Sequence, residues 1–336
     1  MDLYLFYQNE YERLYNCSIY NIDQIPQEKR QHKILGILII ILSTIYVILY
    51  IPCMYSIWKR MTNSNCYKIM FVIGVVDMLA IHIMLWIFNW IFGIFWIFCW
   101  STESTIEGIL AINRCVEIWS SEYAKRLFGG KKLYIWLGIP FLYGLAVFVW
   151  SKPITFSGIY FSWFFNPHIG YIDDVNQEYE NTFHSIHNLS VVFFLLITYL
   201  TFYIIFLIKS KQGGFQSHQQ SYSEKMIFFQ IILISLFNSV AASIYVFMQY
   251  IHVNDVIIII GQLCWLNAHG IPPVIYLTMN KSIQRDCLGI LKKFGSTTLK
   301  FYKNLHSNSI QPFIFKINFA REDNQVNVQN QQINQN

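Results

Sequence analysis

Few residues in this 336-residue chain have types and spacing that could do chemistry, and most of those stand inside apolar runs. Asp77 lies midway along one such run. A central charge in a bilayer costs about 2.5–3.5 kcal/mol on insertion scales. Asp77 therefore reads either as an ion-sensitive switch or as a hydrogen-bonded packing residue, with Asn238, Asn267 and His269 as its expected partners. Glu103 and Glu107 are four apart and share a helical face, surrounded by Ser101, Thr102, Ser104 and Thr105. Such a polar stretch cannot face lipid. It is a candidate wall of a pocket for a cationic or hydrogen-bonding ligand, or else the lining of a water-filled cleft.

Two further motifs could move rather than react. Asn113-Arg114-Cys115 closes an apolar run, where an arginine can snorkel to the interface. Glu117 and Glu224 are its expected partners, and a charge pair of that kind can hold one state and break in another. Pro272-Pro273-Val274-Ile275-Tyr276 sits in the last apolar run. Each proline removes an amide donor and kinks a helix, which frees the carbonyls of Ala268 and His269. Tyr276 lies on nearly the same face as Pro273 and offers a phenol that can change partners.

Catalytic and metal motifs are missing from the sequence. It has no Gly-rich phosphate loop, paired-cysteine motif or nucleophile elbow. His184 and His187 have helical spacing, but two imidazoles fall short of the roughly four ligands of a structural metal site, so they read as structural or interfacial. No catalytic residue, metal ligand, cofactor or internal repeat is expected, and the chain reads as a non-enzyme.

The elements that must position these residues follow from composition. Hydrophobic residues make up 54% of the chain, aromatics 18% and charged residues 13%, against about 25% charged in soluble domains. With 28 Phe and 22 Tyr, the apolar surface is too large for a water-soluble fold. That excludes a secreted enzyme, a nucleic-acid binder and a cytosolic metabolic enzyme. The opening MDLYLFYQNEYE is acidic and lacks the pattern of a signal peptide. Seven cysteines, mostly in apolar runs, do not form a secreted disulfide framework.

A span needs about 20 apolar residues, and lipid leaves helix as the default for each. The runs predict an all-α polytopic bundle of seven transmembrane helices, at about 34–58, 67–88, 94–118, 133–150, 188–208, 226–251 and 256–278. The stretch Tyr67–Trp119 is continuous for 53 residues. Two helices of about 22 residues fit it with a hairpin near Asn89–Gly93; a re-entrant or single tilted span is the other reading. Residues 1–33 form an N-terminal segment, 279–305 a region with an amphipathic helix, and 306–336 a disordered Asn/Gln-rich tail.

Orientation follows from basic residues. With the N-terminus outside and the C-terminus inside, 19 of the 24 lysines and arginines fall on cytoplasmic segments, although Lys29, Arg30 and Lys33 crowd the outer end of the first span. Asn16-Cys17-Ser18 is then a candidate outer N-glycosylation sequon. A second sequon at Asn188 sits at the membrane edge and is expected to be unused. Ile283, Cys287, Leu288 and Leu291 share one helical face, as in a helix lying on the inner leaflet, with Cys287 a candidate palmitoylation site; an ordinary helical stub fits equally well.

With these positions set out, the sequence resembles the nematode serpentine chemoreceptors, specifically the class T (Srt) family of seven-helix G-protein-coupled receptors. The resemblance spans about Tyr15 to Leu291. It is carried in order by Cys66-Tyr67-Lys68-Ile69-Met70 with Asp77-Met78, Asn113-Arg114-Cys115, Leu127-Phe128-Gly129-Gly130, Trp163-Phe164-Phe165-Asn166-Pro167, Ala241-Ala242-Ser243-Ile244-Tyr245-Val246, and Gly261-Gln262 through Trp265, His269-Gly270 and Ile275-Tyr276-Leu277. The resemblance implies a chemosensory receptor in the plasma membrane of sensory neurons. Its implied partners are a small ligand in the bundle, a heterotrimeric G protein and the lipid bilayer, with no nucleic acid. Asn113, Arg114, Pro273 and Tyr276 would serve activation and coupling, and Asp77, Glu103 and Glu107 the ligand cavity or its buried polar surroundings.

One departure stands out. Asp77 and Asn113 are 36 positions apart, a shorter stretch than the family usually has between its second and third spans. The loop 151–187 also contains no cysteine, so no disulfide can tie it to the third span. The alternatives to a receptor are an ion channel or transporter lined by Asp77, Glu103 and Glu107, and a degenerate receptor copy.

Overall fold

A computed structural model describes residues 2–62, 64–85, 89–212, 218–251 and 253–293. The N-terminal segment carries three short helices, α1 (Asp2–Phe6), α2 (Gln8–Tyr15) and α3 (Gln27–Arg30). Then follow α4 (Lys33–Arg60), α5 (Asn65–Leu85), α6 (Asn89–Trp119), the short α7 (Ser121–Phe128), α8 (Lys132–Trp150), α9 (Thr182–Lys211), α10 (His218–Tyr250), α11 (Asp255–Gly270) and α12 (Pro272–Met279). Between α8 and α9 stands a two-stranded antiparallel hairpin, β1 (Thr155–Ser157) and β2 (Ser162–Phe164). Residues 281–293 are helical.

Among the described residues, α4, α8, α9 and α10 are long and apolar enough to cross a membrane, and α11 with α12 adds a fifth span bent by 53°. α5 has 21 residues and α6 has 31, the length a bilayer core requires. With them the chain is a seven-span membrane protein. The Tyr67–Trp119 stretch therefore forms two helices. α6 starts at Asn89, so the expected turn at Asn89–Gly93 is already helical, and the connection at residues 86–88 lies outside the described residues. No polar residue marks that boundary before Asn89 itself, and so apolar length alone misplaces it. The last span also differs from a simple kink: Pro272 and Pro273 start a new helix after Ile271.

The bundle is organised around α6, which packs against α5, α7, α8, α9 and α10. Around it α4 pairs with α5 and α12, and α10 with α9 and α11. One half of the core is aromatic, with Trp96, Trp100, Trp163, Phe165, Tyr245 and Trp265. The other half is aliphatic, built on Ile69, Ile73, Ile106, Ile109 and Leu133 around Phe128.

Two glycines permit close approaches. A Cβ on Gly93 would lie 1.9 Å from the Ile154 carbonyl oxygen, and one on Gly270 would lie 2.0 Å from the Tyr46 ring. The first lets α6 touch the backbone entering the hairpin, and the second lets α4 touch the end of α11.

The N-terminal segment and the 151–181 loop share one face of the bundle. His168 Nε2 and the Tyr179 hydroxyl lie 2.9 and 2.8 Å from the Leu14 carbonyl oxygen, Arg13 pairs with Glu178 at 2.8 Å, and His32 Nε2 meets the Ile159 oxygen at 2.8 Å. This hairpin face is held without a disulfide. All seven cysteines are free; Cys17 is exposed, Cys264 half-buried and the remaining five buried. Lys59, Arg60, Lys125, Arg126, Lys131, Lys132, Lys209 and Lys211 flank helix ends at the opposite, basic face.

A second compact unit begins at Arg285 and is described only through residue 293, all of it helical. Cys287 is buried, whereas Leu288 and Leu291 are exposed. The region 306–336 expected to be disordered lies outside the described residues.

Candidate functional site

The buried polar residues gather in the middle of the bundle. Asp77 comes from α5, Glu103 from α6 and His269 from the last turn of α11, with exposures of 0%, 1% and 0%. Their ligand-capable atoms all lie within 4.8 Å of one another. His269 Nδ1 hydrogen-bonds Asp77 Oδ1 at 3.0 Å. Glu103 Oε2 lies equally near that nitrogen, at 3.0 Å, but makes no hydrogen bond. One imidazole and two carboxylates form a donor set a cation could use, while the 3.0 Å separations are those of hydrogen bonds.

A tyrosine completes the cluster. The Tyr50 hydroxyl, from α4, lies 2.6 Å from Asp77 Oδ2 and 2.9 Å from the His269 carbonyl oxygen. That carbonyl is the one Pro273 leaves without an intrahelical donor. A single hydroxyl hydrogen faces two acceptors, one on the second span and one on the seventh. Tyr50 was invisible to sequence reasoning, because a lone tyrosine in an apolar run has no signal beyond its type.

Of the three expected partners of Asp77, only His269 meets it. Asn267 accepts from the Tyr46 hydroxyl at 2.7 Å, and Asn238 donates to Glu107 Oε2 at 2.6 Å. Glu103 and Glu107 share a face as expected, yet both are sealed inside the bundle.

At the basic end of α6, Arg114 Nη1 pairs with Glu117 at 3.1 Å; Glu224 lies outside the residues whose side chains are described. Asn113 is buried beside it with Oδ1 unpartnered. Pro273 is the second residue of α12, its carbonyl 3.7 Å from Cys53 Sγ, and Tyr276 is buried one turn later.

The polar residues of the hairpin-face half are mostly structural. His187 bridges Ser104 at 3.0 Å and Tyr143 at 2.8 Å, and His184 meets Asn188 and Gln249 at 3.4 and 3.3 Å. Asn188 is buried and accepts from Trp100 Nε1 at 2.8 Å. Asn16 stands exposed, accepting from the amide and hydroxyl of Ser18 at 2.9 and 2.6 Å.

A cavity of about 300 Å³ opens under the hairpin, between the 151–181 loop and the end of α10. Trp96, Trp163, Phe165 and Tyr245 line its aromatic part. Asp77, Glu103 and Glu107 do not line it. Sequence reasoning missed it because its walls come from a loop whose aromatic run, Trp163 through Phe165, is folded back into the core. An aromatic column joins the cavity to the polar cluster: Trp96 meets Trp265 with ring centroids 4.7 Å apart, and Trp265 meets His269 at 4.5 Å.

Comparison with known proteins agrees with this architecture. A search of curated proteins finds no match. A family described as "Serpentine type 7TM GPCR chemoreceptor Srt" matches residues 1–298, a range that takes in every described residue. The seven-span bundle with its break before Pro272 and its Asn113-Arg114 helix end thus has a family: the chain belongs to the Srt class of serpentine seven-transmembrane chemoreceptors.

Proposed function

We propose that this protein is a plasma-membrane chemosensory receptor of sensory neurons, and not an enzyme. In this reading the hairpin face is outside and the basic face inside. A small ligand enters the cavity beneath the hairpin, and a heterotrimeric G protein engages the basic face near Arg114.

The observation that carries this reading is the continuous contact path from the cavity through Trp96 and Trp265 to His269, at the break of the last span. A ligand shifts a conformational equilibrium only through its differential affinity for the two states. A molecule that moves Trp96 disturbs the Trp265 ring, which meets His269 edge-on. His269 in turn holds Asp77 by its side chain and Tyr50 by its carbonyl. The α11–α12 break gives the cytoplasmic end of the last span freedom to respond.

Reconstitution with each class of Gα subunit tests the reading. Basal guanine-nucleotide exchange above that of empty membranes is expected with at least one class, and its loss in Arg114→Ala. No exchange with any class, or full exchange in the variant, sinks the coupling model.

A further inference from the structure

We infer that the cavity under the hairpin selects an organic cation, a protonated or quaternary amine with an apolar body. The inference rests on the ligand-binding reading above and gives that ligand its chemical class.

Charge is the first argument. Asp173, Asp174 and Glu180 line the cavity, and among the described residues no lysine or arginine does. Two basic residues on the same face are already engaged. Lys152 Nζ donates to the carbonyl oxygens of Glu178 and Glu180 at 2.7 and 2.8 Å, and Arg13 pairs with Glu10 and Glu178. Asp173 makes no hydrogen bond or ion pair among the described residues. Asp174 is held in place by the amides of Glu178 and Tyr179 at 2.8 and 3.0 Å. A concave wall of one sign concentrates ligands of the other.

The interior supplies the second, independent argument. The lining also includes Trp163 and Trp96, whose rings stack on one another with centroids 5.9 Å apart. Aromatic faces attract cations through their quadrupole. Both indole N–H groups are unpartnered although the residues are only 6% and 2% exposed. A buried donor without a partner is rare in a finished core, and both indoles belong to the lining. An anion would meet three carboxylates with no counter-charge. A purely apolar molecule would leave the acids and the indoles unanswered. An ammonium group on an apolar body answers the acids and the aromatic rings within about 300 Å³, and an acceptor atom on the same molecule would add a partner for the indole donors.

Three probes of one carbon skeleton isolate charge: phenethylamine, 2-phenylethanol and phenylacetate, titrated at neutral pH against the full chain in lipid nanodiscs. The amine is expected to bind at least about tenfold more tightly than the alcohol, more so at low ionic strength, with phenylacetate weakest. Asp173→Asn combined with Glu180→Gln, at exposed or half-exposed positions, should reduce amine affinity about tenfold and leave the alcohol unchanged. Equal or tighter binding of the alcohol or the acid, no binding by any probe, or an amine indifferent to the double variant would overturn the inference. The assay contains no G protein, so its failure leaves the coupling test standing, and failed coupling leaves this result standing.

Discussion

The Tyr50 hydroxyl sits 2.9 Å from the His269 carbonyl oxygen, the acceptor that Pro273 cannot satisfy from within its own span. A phenol of the first span thus fills a gap made by a proline in the seventh. The same hydroxyl is within 2.6 Å of Asp77 on the second span. Three spans meet at one hydrogen, which can side with the carboxyl group or with the backbone. Two discrete arrangements of one group are what a switching element requires.

Tyr50→Phe keeps the ring and deletes that hydrogen. Leaving buried acceptors short costs about 1–3 kcal/mol, so a lower unfolding temperature in detergent is expected. Basal nucleotide exchange should change as well, since the seventh span loses one of its ties to the first, beside those of Tyr46 to Asn267 and Cys53 to the Pro273 carbonyl. A variant with wild-type stability and exchange would show that the contact is incidental.

Asn238 and Glu107 join α10 to α6 through a 2.6 Å hydrogen bond. Asn238→Leu strands a buried carboxyl group and should cost about 1.5–3 kcal/mol. Replacing both residues by leucine removes the group that would be stranded, so the double variant should be more stable than Asn238→Leu alone. Thermal unfolding of the four proteins in a double-mutant cycle measures the coupling; additive losses would rule it out.

Gly270→Ala would drive a Cβ to within 2.0 Å of the Tyr46 ring. The ring must then shift and strain its 2.7 Å hydrogen bond to Asn267. Overpacking of this kind costs about 1–3 kcal/mol. Reduced surface delivery and thermal stability are expected, with partial recovery in Gly270→Ala/Tyr46→Leu, where the clashing ring is gone.

Arg114→Ala should abolish nucleotide exchange while surface staining stays at the wild-type level. Glu117→Gln removes only an i,i+3 surface ion pair, worth about 0.2–0.5 kcal/mol, and should leave thermal stability nearly unchanged. A loss of stability in the arginine variant comparable to its loss of signalling would assign Arg114 a packing role instead.

Epitope tags at the two ends, stained in intact and then permeabilised cells, read the topology. The N-terminal tag should label in intact cells and the C-terminal tag only after permeabilisation. Both tags on one side would contradict an odd number of spans, and the reverse pattern would invert the hairpin and basic faces.

The seven spans were legible because lipid leaves so few solutions: apolar length gives the helices, and a proline pair gives the break at Ile271. The pairing of Asp77 with His269 was within reach for the same reason, since a buried acid must find a partner among few polar residues. Its competitors Asn238 and Asn267 were indistinguishable by type, and only the rotation of each helix assigns them to Glu107 and Tyr46. That rotation is not encoded in hydropathy where α10 and α11 have little amphipathic asymmetry. The cavity was harder still. The 151–181 segment reads as a polar loop with aromatics in it, whereas β2 is fully buried, with Phe156 opposite Trp163 across the hairpin. The boundary between α5 and α6 left no polar mark before Asn89 and could only be bracketed.

The absence of any disulfide has a practical side. Nothing about the ligand face depends on an oxidising compartment, so the chain should fold equally well when synthesised in a reducing cell-free extract with nanodiscs, and dithiothreitol should not release the hairpin. Cys17 is the exposed thiol of the seven, beside the residues that grip the loop. A membrane-impermeant maleimide dye placed there would sit on the native sequence, without engineered cysteines, and its fluorescence would report the surroundings of the N-terminal segment where Arg13 and Leu14 hold the loop.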